Sequence, residues 1–194
     1  MRLPIFPIPV VLLPGAMMPL HIFEERYQRM VLDVLEGDQR FGMIYHDWDD
    51  HGPFLSEPGT IGCVATIREH QPLEDGRSLL AVAGGPRFRI VEDLDQVELY
   101  FEAVVEPVAD TTIMEGDELI FRRRESIRLF HQLVDTLAAD SVQLPTINET
   151  EEVSYMLAQT IQMKPKWHQR LLELTDEGSR LERVDQVLRR ALGE

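Results

Sequence analysis

Two hydrophobic rhythms divide the chain. Up to about residue 107, apolar residues alternate or form short blocks; beyond it they recur at three and four. The first ten residues of the opening apolar segment, 3–12, predict an extended stretch, and Pro14-Gly15 a turn. From Glu24 to Leu35 the positions Tyr27, Met30, Val31, Val34 and Leu35 predict a helix with one buried face, closed by Gly37. Strands are then predicted over Arg40–His46, Thr60–Glu69, Arg77–Ala83, Phe88–Val91 and Leu99–Val105. An acidic loop, Asp47–Pro58, separates the first two. Asp75-Gly76 predicts a type I′ hairpin turn, and Gly84-Gly85-Pro86 a second reversal.

The second half is helical in period. A long helix is expected over Glu115–Ala139, with Ile127, Phe130, Val134 and Leu137 on its buried face. A break at Leu144–Asn148 follows, then helices over Thr150–Ile161 and Trp167–Leu174. A last helix is marked by Leu181, Val184, Leu188 and Ala191. Strands first and helices after predict an α+β fold. Its subdomains are expected at 1–110 and 111–194, with the boundary near Val108–Met114.

Charge narrows the function classes. Of 194 residues, 44% are hydrophobic, enough for a core, and the net charge is −15. Residues 1–110 hold 8 Arg and no Lys against 19 acids, a net of −11. Nucleic-acid affinity rests on cations that neutralise phosphates, so this balance disfavours an RNA or DNA partner. It equally disfavours an anionic membrane surface, and no apolar run has the length to span a bilayer. Prolines 4, 7, 9, 14 and 19 break any helix in the apolar N-terminal stretch, which argues against a secretion signal. Cys63 is a lone cysteine in an apolar run, so it reads as a buried small hydrophobe in a reducing compartment; a cytoplasmic protein is expected.

The segment Leu3–Gly42 carries the densest motif: L-P-x-x-P-x-P-V-x-L-x-P-G-x-x-x-P-L-H-I-F-E-x-R-Y, from Leu3 to Tyr27. It resembles the start of the N-terminal, substrate-binding domain of Lon ATP-dependent proteases. Gly59-Thr60-Ile61-Gly62-Cys63-Val64-Ala65 is similar to the family's G-T-x-G-x-x-A strand. Gly76 through Arg89 is similar to its glycine-containing hairpin. Tyr100–Glu106 and Leu171–Leu188 resemble its later strand and helices. The resemblance implies a PUA-like β-barrel with an embedded helix, followed by a C-terminal helical bundle. It also implies that the chain binds unfolded or degron-bearing polypeptide, or a protein partner, without a cofactor. No G-x-x-x-x-G-K-[ST] phosphate loop occurs, and the chain has no room for AAA+ and Ser–Lys peptidase domains, so a free-standing, non-enzymatic adaptor is expected. PUA-type RNA binding and an uncharacterised hydrolase are the alternatives.

Candidate chemistry is sparse. His46-Asp47-Trp48-Asp49-Asp50-His51 holds imidazoles and carboxylates, a weak candidate metal site at His46, Asp47, Asp49 and His51 set against a plain solvated loop. His21 and Glu24 lack a partner for acid–base work, and Ser56, Ser78 and His70 form no nucleophile motif. Arg122-Arg123-Arg124 reads as helix decoration. The expected peptide-facing residues are Pro19, His21, Phe23 and Tyr27, at a loop and helix start, together with Trp48; the competing reading puts Phe23 and Tyr27 in the core.

Overall fold

The structure, a computed structural model, describes residues 1–94, 99–137 and 147–194. Its chain divides into two compact units. The first holds Met1–Ala109 and Lys164–Leu172; the second holds Asp110–Met163 and Glu173–Glu194. The periodicity places Lys164–Leu172 with the helices, whereas the structure packs it with the strands.

Among the described residues six strands form one sheet: β1 Arg2–Ile8, β2 Met17–Ile22, β3 Arg40–Tyr45, β4 Ile61–Pro72, β5 Ser78–Asp93 and β6 Phe101–Pro107. Their order is β2-β5-β4-β3-β1-β6, and β5 also pairs with β6. The ring β5-β4-β3-β1-β6-β5 therefore closes on itself, and β2 hangs from the first half of β5. One pairing, β1 with β3, is parallel; α1 (Glu25–Glu36) lies between β2 and β3 in the chain.

β5 is one strand of 16 residues, where the sequence predicts two strands and a turn. Gly84-Gly85-Pro86 falls in a register irregularity between Cys63–Arg87 and Ala65–Gly84. There β5 leaves β2, its partner through Ala83, and takes up β6 from Phe88 onward. A Cβ on Gly84 would stand 2.1 Å from the Leu13 carbonyl oxygen, so only glycine admits that crossing. Proline, having no N–H to donate, suits a position where the ladder is interrupted.

The ring's core gathers Leu3, Ile5, Ile44, Phe54, Val64, Phe88, Ile90, Ala103 and Val105. The Phe88 ring lies across Gly42 and Gly62, where an added Cβ would come within 2.6 Å of it. Outside the ring, α1 buries Tyr27, Met30, Val31 and Val34. The Tyr27 ring meets Phe6 of β1 edge-on, at 4.4 Å between centroids. Helix α1 ends at Gly37 as expected, but the left-handed residue is Gln39, at φ 60°. The β4–β5 turn also departs from expectation. Gly76 has φ 82°, Asp75 does not have positive φ, and the Leu73 N–H donates to the Arg77 carbonyl at 2.8 Å. That is a three-residue loop with glycine in the left-handed place, not a type I′ turn.

The second unit is helical: α3 Gly116–Leu137, α4 Ser154–Gln159 and α6 Glu177–Leu192, the helix α5 (Pro165–Glu173) falling almost wholly in the first unit. The buried face of α3 is Arg123, Ser126, Leu129 and Phe130; Ile127 is half-buried and Leu137 is exposed. The expected face was rotated because Arg123 and Ser126 are polar yet buried. Arg123 is paired through two nitrogens to Glu177, at 2.9 and 2.6 Å. Fully buried Arg180 donates to both Asp110 oxygens, to Ser154 Oγ and to the Leu174 carbonyl, and lies over the Tyr155 ring. The helix expected over Thr150–Ile161 is shorter, beginning at Ser154. Residues 138–146, with the expected break at Leu144, lie outside the described residues.

Candidate functional site

Pro19 and His21 do not sit in a loop. They lie on β2, which pairs with β5 in the register Met17–Ala83, Pro19–Ala81, His21–Leu79. Alternation sends Leu20 and Ile22 inward, both buried, and leaves Met17, Pro19 and His21 exposed. Phe23, one step beyond the strand, continues the outward series and is 62% exposed. Its ring stands 5.7 Å from that of His21, and its carbonyl accepts from Gln28 Nε2 at 2.9 Å. On β5 the partner residues Leu79, Ala81 and Ala83 share this outer face, with Leu79 42% exposed. Among the described residues β2 pairs with β5 only, so its other edge carries no strand. The face is thus an apolar strip of Met17, Pro19, Phe23, Leu79 and Ala81, with one imidazole, on an edge strand.

Tyr27 does not belong to it. The side chain is buried at 2% exposure, and burial pushes the phenol up to about 12. Phe23 and Tyr27 thus part company: the first is exposed and the second is core.

Trp48 begins α2 (Trp48–His51) and is 37% exposed. It packs edge-on against His46 at 4.5 Å, and the Arg26 guanidinium lies 5.6 Å from its ring centre. Arg26 also covers Tyr27 at 4.6 Å and Phe101 at 6.0 Å, and pairs with Glu24. Trp48 therefore forms a second aromatic surface, set around Arg26.

The residues of the weak metal candidate make local hydrogen bonds. Buried His46 donates from Nε2 to the Gly52 carbonyl at 2.8 Å. Asp47 caps α2 by accepting from the Asp49 N–H, and His51 Nδ1 accepts from the Asp47 N–H. Asp50 pairs with Lys166, whose hydrogen bond and charge hold its carboxyl below the usual range. Among the described residues no three His, Cys, Asp or Glu side chains come together to hold a metal. His70 Nε2 and Ser78 Oγ do meet, at 3.2 Å, but Ser78 is 6% exposed and pairs across the strands rather than facing a cleft.

Met17, Leu79 and Ala81 escape the sequence reading. The signal that finds Met17 is the alternation Met17, Pro19, His21, Phe23 against Met18, Leu20, Ile22, which the proline disguises; Leu79 and Ala81 reach this face only through the pairing of β5 with β2.

Comparison with known proteins agrees with this architecture. The family model for the ATP-dependent protease La (LON) substrate-binding domain matches residues 2–190. A Lon protease of Trichlorobacter lovleyi is 29% identical over 97% of this chain, and Lon protease 2 of Bdellovibrio bacteriovorus is 26% identical over 96%. In each the match spans 24% of the relative's length, so the chain corresponds to about a quarter of those proteins. Among solved structures, a Lon N-terminal domain protein from Xanthomonas campestris has a TM-score of 0.66 at 25% identity, covering 95% of this chain and 96% of that one. The N-terminal domain of a Mycobacterium avium complex Lon protease has a TM-score of 0.73 at 15% identity, covering 97% and 98%. The mixed sheet-and-helix fold is that of these domains, and the chain belongs to the Lon substrate-binding domain family.

Proposed function

We propose that the protein is a non-catalytic recognition module that binds unfolded or degron-bearing polypeptide, acting as an adaptor in cytoplasmic protein quality control. One observation carries the reading: the exposed strip of Met17, Pro19, His21 and Phe23 runs along an edge strand, with Leu79 of β5 beside it, in a chain of the Lon substrate-binding family. Exposed apolar surface gathered on one face is the physical mark of an interaction site. Trp48, standing over Arg26, serves as a second anchor.

The alternatives find less support. A hydrolase needs a nucleophile and base open to substrate, and the Ser78–His70 pair is closed to it. An RNA binder needs a cationic face, and the outer face of β2 and β5 carries no Lys or Arg from Met17 to Phe23 or from Leu79 to Ala83.

Binding of a chemically denatured model protein to the wild type, and to Phe23→Ala, His21→Ala and Trp48→Ala, tests the proposal. Each variant is expected to bind several-fold more weakly with its melting temperature nearly unchanged, since all three side chains are exposed or half-exposed. Normal binding by all three, or loss only through unfolding, contradicts it.

A further inference from the structure

Resting on that reading, we infer that β2 takes its ligand by strand addition: an extended peptide with alternating apolar side chains and basic ends pairs along the free edge.

The backbone parity supports this. The Gly84 N–H donates to the Ala16 carbonyl at 2.8 Å, so Ala16 turns its carbonyl toward β5, its own N–H donating to the Leu13 carbonyl. In an antiparallel ladder such positions alternate, which aims Met18, Leu20 and Ile22 at β5 and Met17, Pro19 and His21 away from it. Pro19 fits the assignment, because a residue without an N–H belongs on the open side of an edge strand. The edge then offers the N–H and carbonyl of Met17, the carbonyl of Pro19 and the N–H and carbonyl of His21. β2, β5 and β4 align in rows: Met17–Ala83–Thr66, Pro19–Ala81–Glu69 and His21–Leu79–Gln71. An added strand extends each row by one side chain, so apolar residues at every second position meet Met17, Pro19 and the flank of Phe23. Main-chain bonds supply affinity without sequence demands, as an unfolded clientele requires, and the rows add preference.

Charge selects the ends and the occupant. This face carries Glu69, with exposed Arg68 beside it in the β4 bulge, and runs into exposed Glu25 and into Glu24, which pairs with Arg26; the strand half as a whole, residues 1–110, carries a net charge of −11. Basic residues flanking the apolar stretch complement it. A second copy of the chain is the less suitable occupant, because each carries a net charge of −15 and a two-fold pairing centred on Pro19 would set two residues without a donor against each other.

The test uses the intact protein and a short fluorescent peptide of alternating valine and threonine with lysine at both ends. Three comparisons accompany it: the same peptide with alternate amides N-methylated, a glutamate-ended version, and the Met17→Asp protein. The expected result is measurable binding of the lysine-ended peptide, with each change weakening it about tenfold or more. Equal binding of the N-methylated peptide overturns strand addition while leaving polypeptide recognition intact. Equal binding of the glutamate-ended peptide overturns the charge preference. Binding indifferent to Met17→Asp moves the site off β2. A dimer in sedimentation that the peptide dissociates makes a second copy the occupant and overturns the proposal. Failure to bind either these peptides or a denatured protein overturns both this inference and the recognition function beneath it.

Discussion

Tyr27 and Phe23 stand four residues apart in the stretch richest in family motif, yet one is 2% and the other 62% exposed. The helix start separates them: Tyr27 falls on the α1 stripe with Met30, Val31 and Val34, while Phe23 still follows the strand's alternation. The Tyr27 hydroxyl is buried and meets no hydrogen-bond partner among the described residues. Removing such a group relieves desolvation rather than breaking a bond. Tyr27→Phe is therefore expected to leave stability within about 1 kcal/mol of wild type, or raise it, and to bind polypeptide normally. Tyr27→Ala is expected to cost about 3 kcal/mol or more in urea denaturation, since it empties the contact with Phe6. Weakened binding by a fully folded Tyr27→Phe protein would put Tyr27 back in the site.

Cys63 gives a second residue-scale test. It is fully buried on β4, and burial pushes the thiol up to about 12. Because the folded value is raised above the unfolded one, near 8.5, the group costs nothing below that pH. It destabilises the fold as pH rises from there toward 12. A native thiol at pH 8 is expected to resist an aromatic disulfide reagent and to react fully once the chain is unfolded in guanidinium. Rapid reaction of the native protein contradicts this burial.

At the scale of elements, legibility tracked how far pattern and chemistry agreed. Helix α1 was plain in sequence because its stripe is wholly apolar. β2 was not: Pro19 reads as a breaker unless the strand is known to lie at an edge, and edge position is a tertiary fact. With β2 went Met17 and Leu79, which only the pairing with β5 brings to one face. The sequence pattern divides β5 for the same reason. Gly84-Gly85-Pro86 is a strong turn signal, but the close approach to the Leu13 carbonyl and a change of partner strand explain it instead. In the second unit the buried face of α3 departs from the apolar pattern because it includes Arg123 and Ser126. Buried arginines are invisible to a hydrophobic pattern; their acid partners are distant in sequence, as Glu177 is from Arg123 and Asp110 from Arg180.

Those arginines make the element-scale prediction. Arg180 ties Asp110, Ser154 and the Leu174 carbonyl together from a fully buried position. Breaking a buried pair from one side leaves its partners uncompensated. Arg180→Ala is expected to cost about 3 kcal/mol, the low end of the usual range because Asp110 is 41% exposed. The surface pair Arg89–Glu106, in contrast, is expected to be worth less than about 1 kcal/mol. Denaturant melts of Arg180→Ala and Arg89→Ala check the contrast, and equal losses contradict it.

For the whole molecule, charge and fold point the same way. A net charge of −15 leaves little for phosphate to bind, and no helix among the described residues is long and apolar enough to cross a membrane. At near-physiological salt, RNA and DNA are expected to bind no more tightly than the non-specific range of about 10⁻⁴ to 10⁻⁶ M. Submicromolar affinity with a steep salt slope would restore the RNA-binding alternative.

Amide hydrogen exchange, resolved by residue with and without saturating denatured polypeptide, tests recognition at β2 most directly. Protection is expected to rise at the outward amides of Met17 and His21, with smaller changes at Leu79 and Phe23. The amides of Met18, Leu20 and Ile22, already bonded to β5, should change little. Protection that appears only among the helices of the second unit, leaving Met17 and His21 unchanged, would contradict it.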